Sequence, residues 1–241
     1  MPTEQPNVDW EKIKQCIIEI DRLSREFLYH AVMIGGAAAW FYRHQLAQAG
    51  DKDFTIAASK PDAEYQWLSR DIDFIGIARE EAFLLLSGNR ILERGREHIE
   101  VAGVRIGVAQ VGVTFDAEEV FHFAHAGAID NGRVEFLIAD PLSLYFEKCK
   151  LRERRGYAGD RQHAALLFEY NAYELASGAE RLLTLQALPS EAKRILEFWK
   201  RVAGRAPELL QDERLINRLN PLLTGKEDHA IARHLASSGT R

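Results

Sequence analysis

Ala31-Val32-Met33-Ile34-Gly35-Gly36-Ala37-Ala38-Ala39-Trp40-Phe41-Tyr42 runs from a short apolar segment through a glycine pair into an alanine-rich segment. The apolar segment is too short for a helix and ends at a breaker, so it reads as a buried strand. The alanines after the pair predict a helix. Glycine accepts positive φ and close backbone approach, and a helix starting at once afterwards presents unpaired N–H groups to a phosphate. A plain strand-to-helix turn is the ordinary alternative for the same pair. Neither a Gly-Lys-Ser/Thr tail nor Gly-x-Gly-x-x-Gly accompanies it, so the P-loop and dinucleotide fingerprints are absent.

Upstream, Trp10, Ile13, Ile17, Ile20, Leu23 and Phe27 recur at helical spacing and predict one amphipathic helix over residues 8–27, with Asp9 at its start. Downstream, residues 49–66 are poorly periodic and contain Pro61-Asp62, which marks a loop or insertion. Asp71 to Ile77 resumes strand character. Alternation sets Asp71, Asp73 and Ile75 on one face and Ile72 and Phe74 on the other. Residues 79–86 predict a short helix, and 103–115 one long or bulged strand or a hairpin. Residues 118–126 read as helical, and Asp130-Asn131-Gly132 forms a turn before a strand over 133–138. From Pro141 the pattern is helix after helix: toward Arg155, from Asp160 to Ala176, from Ser190 to Gly204, then near 208–219 and 227–236. A boundary there separates an α+β domain, residues 1–140, from a helical domain, residues 141–241.

The chain has 241 residues, 46% hydrophobic and 28% charged, which excludes collagen-like, low-complexity and wholly disordered classes. With 36 Asp+Glu against 31 Lys+Arg, the formal charge of −5 argues against a protein that coats nucleic acid. Local basic runs exist nonetheless. Residues 147–161 hold six Lys/Arg and three acids, and residues 193–205 hold five and one, interleaved with Phe198 and Trp199. Such helices suit a track for a polyanion or ordinary solvation. Cys16 and Cys149 form neither a metal nor a disulfide pattern, so a reducing, cytoplasmic setting is expected. Residues 1–6 lack the charged start and apolar run of a signal peptide, and no apolar stretch approaches the ~20 residues of a membrane span. His122 and His125 have no obvious third ligand and read as helix histidines.

Asp71-Ile72-Asp73 is the most informative triplet for chemistry. Two carboxylates at i,i+2 of a strand face the same way, repel each other, and belong either on a solvated edge or around a cation. Mg²⁺ takes hard oxygen ligands and usually keeps waters and substrate phosphates. Two such cations activate an attacking oxygen and stabilise a leaving phosphate oxygen. A D-x-D triplet alone is common on solvated strands.

The apolar strand, Gly35-Gly36, the Ala-rich helix and Ser69-Arg70-Asp71-Ile72-Asp73-Phe74 together resemble the nucleotidyltransferases of the DNA polymerase beta-like superfamily. The likeness is greatest to their small bacterial branch related to abortive-infection toxins. It implies a mixed sheet with flanking helices, followed by a helical domain. The implied activity is Mg²⁺- or Mn²⁺-dependent transfer of a nucleoside monophosphate from a nucleoside triphosphate to an acceptor hydroxyl. RNA, protein and small molecules are all candidate acceptors, in a toxin–antitoxin-like setting. By this resemblance Gly35 and Gly36 hold the triphosphate, Asp71 and Asp73 bind the metal, and Arg70 matches a basic residue before the triplet. Asp140-Pro141-Leu142, Lys148, Arg152 or Arg155, and Asp160 follow the family's later pattern of a helix with a Lys, then an Arg and an Asp. Lys148 and Arg152, four apart, share a helix face and suit a phosphate clamp. A solvated, salt-bridged helix is the other reading.

Two departures from the family are visible. The spacing between Gly36 and Asp71 exceeds the family's, which makes residues 49–66 an insertion. The third carboxylate, which the resemblance casts as general base, has no match in Arg105-Ile106-Gly107-Val108-Ala109-Gln110. Asp116 or Glu135 takes its place, or it is missing. In the last case the resemblance implies a non-catalytic relative that binds nucleotide, RNA or a protein partner.

Overall fold

The structure, a computed structural model, describes residues 9–54, 71–87, 99–109, 117–156 and 158–238. Most of the expected insertion at 49–66 falls outside the described residues, as do Arg70 and Asp116. Among the described residues, the fold is α+β, with a six-stranded mixed sheet and flanking helices. Its strands are β1 (Val32–Ile34), β2 (Asp71–Ile75), β3 (Ile99–Val101), β4 (Val104–Ala109), β5 (His125–Ile129) and β6 (Val134–Ile138), in the order β3-β4-β2-β1-β6-β5. β1 runs antiparallel to β2 and parallel to β6, and β2 runs parallel to β4. Among the described strands, the antiparallel hairpins β3–β4 and β5–β6 stand at the two ends of this order.

The described parts of Met1–Gln45 and Lys60–Ala164 make one compact unit, and those of Leu46–Ser59 and Ala165–Arg241 make a second. The expected boundary at 140/141 falls inside the first unit. The helix after Pro141 stays with the sheet: it buries Leu142 and Leu144 and brings Lys148 within electrostatic reach of Asp73 on β2.

In the first unit, α1 (Trp10–Leu23) and α2 (Arg25–His30) replace the single helix expected over 8–27. Ser24 divides them: its backbone is extended, and its hydroxyl accepts from Phe27 N at 3.2 Å to start α2. Asp9 caps α1 by accepting from Lys12 N at 2.8 Å. Ile13, Ile17, Ile20 and Phe27 are fully buried, each contributing about 1.5–3 kcal/mol. The Phe27 ring meets Phe74 edge-on at 5.0 Å, which fixes the apolar face of β2. Ile72 and Phe74 lie on that face while Asp71 and Asp73 are half-buried on the other, the alternation the sequence predicts. α3 (Gly35–Ala49) follows β1 directly, and α4 (Arg79–Ser87) follows β2.

The predicted helix over 118–126 is shorter, α5 (Ala117–Phe123), and residues 125–129 are strand β5. Pairing across the Asp130-Asn131-Gly132 turn, from Ile129↔Val134 to His125↔Ile138, outweighs any local helical preference. His125 therefore sits on a strand, its Nδ1 3.3 Å from the Tyr42 hydroxyl. Of the stretch 103–115, residues 104–109 form one strand, β4, whose hairpin partner is β3 on its N-terminal side and not a strand within that stretch. Ala102 and Gly103 turn with positive φ between β3 and β4, and residues 110–116 lie outside the described residues.

α6 (Pro141–Arg155) is set by its ends. Asp140 accepts from Leu142 N and Ser143 N, both at 3.2 Å, Pro141 occupies the first turn, and Gly156 closes the helix at φ 63. α7 (Ala158–Leu183) begins before Asp160, which stands in its first turn rather than at its cap, and passes through the expected end at Ala176.

In the second unit, Gly178 of α7 explains that continuation. A Cβ there would lie 3.3 Å from Ile195 of α8 (Pro189–Arg205), so the glycine serves close helix packing rather than termination. α8 starts with Leu188 as cap and Pro189 in the first turn, not with Ser190. A 3-10 turn (Pro207–Gln211), α9 (Glu213–Leu223) and α10 (Ala230–Ser238) follow. Trp199 is fully buried and is a core anchor, whereas Lys193, Arg194 and Lys200 are exposed on the opposite face of α8. The described start of the expected insertion is tied to this unit. Phe54 is fully buried beside Tyr173, with the Arg214 and Arg218 guanidinium groups over its ring at 5.1 and 5.8 Å. Arg214 also donates to Asp53 O at 3.1 Å, and Arg218 pairs with Asp51 and Glu180.

Candidate functional site

The strand pairing around β2 assembles the site in the first unit. Asp73 lies directly opposite Ile34 on β1 and Gly107 on β4, and Asp71 lies opposite Arg105. Neighbouring residues in register share a face. Asp71, Asp73, Arg105 and Gly107 therefore occupy one side of the sheet, just where β1 ends and the chain turns at Gly35. Gly35 has φ +73, and a Cβ on it would stand 3.0 Å from Asp73 Oδ2. Gly36 is buried in the first turn of α3. The glycine turn and the Asp73 carboxylate thus occupy one spot.

Electrostatics at that spot are strained. Burial first, then the Asp71 carboxylate, push the Asp73 pKa up to about 7, with Glu147 adding to the rise and Lys148 and Arg105 opposing it. The four named groups surround Asp73 from its own strand, from β4 and from α6.

The helices supply the cations unequally. Lys148 is buried; its Nζ is 3.4 Å from Asp160 Oδ1 and 3.9 Å from Glu147 Oε2. Asp160 and Glu147 are likewise buried. The lysine therefore joins the first turn of α7 to α6 while its charge reaches Asp73. His163, one helical turn beyond Asp160, is held well below the ordinary histidine pKa by burial and then by Lys148. Arg152 is exposed, although the four-residue step from Lys148 keeps it on the same helix face, about 6 Å further along the axis. Lys148 and Arg152 thus lie in different environments and do not form an even pair.

Glu135 is exposed on β6 opposite Ala128. Met33 pairs with Ile138, so Glu135 lies four residues, about 13 Å, along the sheet from the level of Ile34 and Asp73. At that separation it does not complete a site with Asp73. Asp116 and Arg70 lie outside the described residues. β4, the strand on which the resemblance places a third carboxylate, bears Arg105 and Gly107 beside the aspartates.

Three residues of this neighbourhood carried no functional signal in the sequence: Arg105, Gly107 and Glu147. The phase of Val104, Ile106 and Val108 does assign Arg105 and Gly107 to the polar face of their strand. Which strand lies alongside is a matter of tertiary pairing.

Among the described residues, no group of three or more His, Cys, Asp or Glu side chains is arranged to hold a metal ion. Two aspartate carboxylates on one face, one of them in a cradle that a Cβ at Gly35 would crowd, fit Mg²⁺ or Mn²⁺ of the kind completed by water and substrate phosphate. A cavity of about 560 Å³ lined by His30, Ile77, Leu84 and Phe121 opens beyond the other end of β2 and is separate from this pair. Among the described residues, no helix is long and apolar enough to cross a membrane. Comparison of the chain with protein-family models, curated proteins and solved structures finds no match.

Proposed function

We propose that the chain is a Mg²⁺- or Mn²⁺-dependent nucleotidyltransferase that moves a nucleoside monophosphate from a nucleoside triphosphate to an acceptor hydroxyl, releasing pyrophosphate. The observation that carries this reading is the meeting of the Gly35 turn with the Asp73 carboxylate across the β1–β2 pair. A turn that offers backbone N–H groups and a carboxylate pair that prefers a cation together match a metal–phosphate group. Asp71 and Asp73 would hold the metal, which when bound neutralises the phosphate charge and polarises it for attack. Gly35 and Gly36 would receive phosphate oxygens along their backbone. Arg105, in register with Asp71, would balance the negative charge of the substrate. Lys148, already joined to Asp160 and Glu147, would act through the field it places on Asp73. RNA, a protein or a small molecule remains the acceptor class.

One observation favours a second reading, a nucleotide-binding protein without turnover. β4 carries Arg105 and Gly107 where a general-base carboxylate is expected, and Glu135 stands two strands over from Asp73 and about 13 Å further along the sheet. One experiment separates the two. Wild type and Asp73→Asn are titrated with Mg²⁺ and each nucleoside triphosphate, and pyrophosphate release is assayed over RNA, protein and small-molecule acceptors. The transferase reading expects release that Asp73→Asn abolishes. Tight, Mg²⁺-dependent binding with no release across all acceptors supports the second, and no Mg²⁺-dependent binding overturns both.

A further inference from the structure

Asp73 is flanked on both sides by glycine. Toward β1, a Cβ at Gly35 would stand 3.0 Å from Oδ2; toward β4, a Cβ at Gly107 would fall well under 3.0 Å from Oδ1, a separation that real Cβ atoms do not show. Oδ1 therefore fills the space that a side chain at 107 would occupy, and Oδ2 would be crowded by one at 35. At Gly35 a positive φ already accounts for the glycine. Gly107 has no such reason, since its φ lies outside the positive region. It sits within a parallel-paired stretch of β4, where glycine weakens a strand and marks close approach of another group.

We infer that Gly107 is a positioning residue: its missing side chain opens one wall of a slot, Gly35 forms the other, and the slot fixes the Asp73 carboxylate for its cation. The cation role rests on the transferase reading; the slot itself does not. Rotation of the carboxylate about χ2 would otherwise be broad, as for any sp³–sp² torsion. The room left by Gly107 and Gly35 admits the carboxylate in the orientation that sets Oδ1 toward β4 and Oδ2 toward β1, so an oxygen donor has its place before a metal arrives.

The test combines Gly107→Ala with Asp73→Ala in the full-length chain and uses two measurements. Thermal unfolding without divalent cations reads the slot. Gly107→Ala is expected to lower Tm in the wild type and to leave it unchanged or raise it in the Asp73→Ala background, where the carboxylate no longer competes for the space. Mn²⁺ titration followed by electron paramagnetic resonance reads the positioning. Gly107→Ala is expected to weaken Mn²⁺ by about tenfold or more, in line with the penalty for misplacing a ligand by a fraction of an ångström. Ile106→Val, on the opposite face of β4, lowers stability and keeps wild-type Mn²⁺ affinity; it separates positioning from general weakening of the strand. An equal Tm loss in both backgrounds overturns the slot, and wild-type Mn²⁺ affinity in Gly107→Ala overturns its positioning role. If the wild type binds no Mn²⁺, the metal reading and the role given to the slot both fail, and the Tm cycle still decides whether Gly107 makes room for Asp73.

Discussion

Asp73→Asn removes a charge and keeps a side chain of nearly the same shape, so it measures what the fold spends in holding that carboxylate. The ordinary carboxyl titrates at 3.8, and burial with the Asp71 charge moves Asp73 to about 7. A folded pKa raised above the unfolded one means that the native state holds the proton more tightly. The associated stability is fully present below 3.8 and is lost as pH rises through about 7. At about 1.4 kcal/mol per pH unit, the interval from 3.8 to about 7 sets a ceiling of about 4 kcal/mol on the loss. Relaxation of the surroundings and residual solvation reduce it, and about 2 kcal/mol is expected in practice. That corresponds to a Tm higher by about 4–8 °C in Asp73→Asn than in the wild type at pH 8 with EDTA present. Differential scanning calorimetry across pH 5 to 8 is the assay. The advantage of Asn should grow with pH and level off above about 7. Adding Mg²⁺ at pH 8 should raise the Tm of the wild type and not of the variant, because a cation that binds only the native state stabilises it by mass action. A variant no more stable than the wild type at pH 8, or an advantage that stays flat with pH, refutes the reasoning.

Two further outcomes concern the rest of the molecule. Phe54→Ala removes a fully buried ring beside Arg214, Arg218 and Tyr173 and should destabilise the second unit by about 3 kcal/mol or more, read as faster hydrogen exchange in α9. Exchange at the wild-type rate would show that the Leu46–Phe54 segment does not support that unit. Burial pushes the Cys16 thiol up to about 12, so only the half-buried Cys149 should react with a thiol reagent in the native protein at pH 8. Mass spectrometry of the labelled protein checks this, and labelling of Cys16 before unfolding would contradict its placement inside α1.

Local sequence rules carried far where a short segment settles its own geometry. Gly35-Gly36 after three apolar residues marks the change from strand to helix, and Asp140-Pro141 with Gly156 brackets α6, because capping and positive φ depend on adjacent residues alone. The facing of Asp71 and Asp73 was equally legible, since alternation along a strand needs no partner. The same rules fail where two signals compete. Trp10 to Phe27 keeps one apolar stripe across Ser24, yet the serine hydroxyl caps a new helix. The helix expected to end at Ala176 runs on to Leu183, with Gly178 in close helix-to-helix contact with Ile195. Residues 125–129 carry too little periodicity to be told from the helix before them, and only pairing with β6 makes them a strand.

The candidate site divides along the same line. Residue types and their order along the chain determine that a glycine-led turn and a same-face aspartate pair exist. Neither can determine that β4 lies beside β2 in the register that sets Gly107 against Asp73 and Arg105 against Asp71, or that α6 brings Lys148 and Glu147 within the field of that carboxylate. Nor does it say that Glu135 ends up at the far end of β6. Alternation and capping act over a few bonds, so the chain encodes them locally. Strand order and register minimise the free energy of contacts between segments tens of residues apart, and they exist only once the whole sheet has formed.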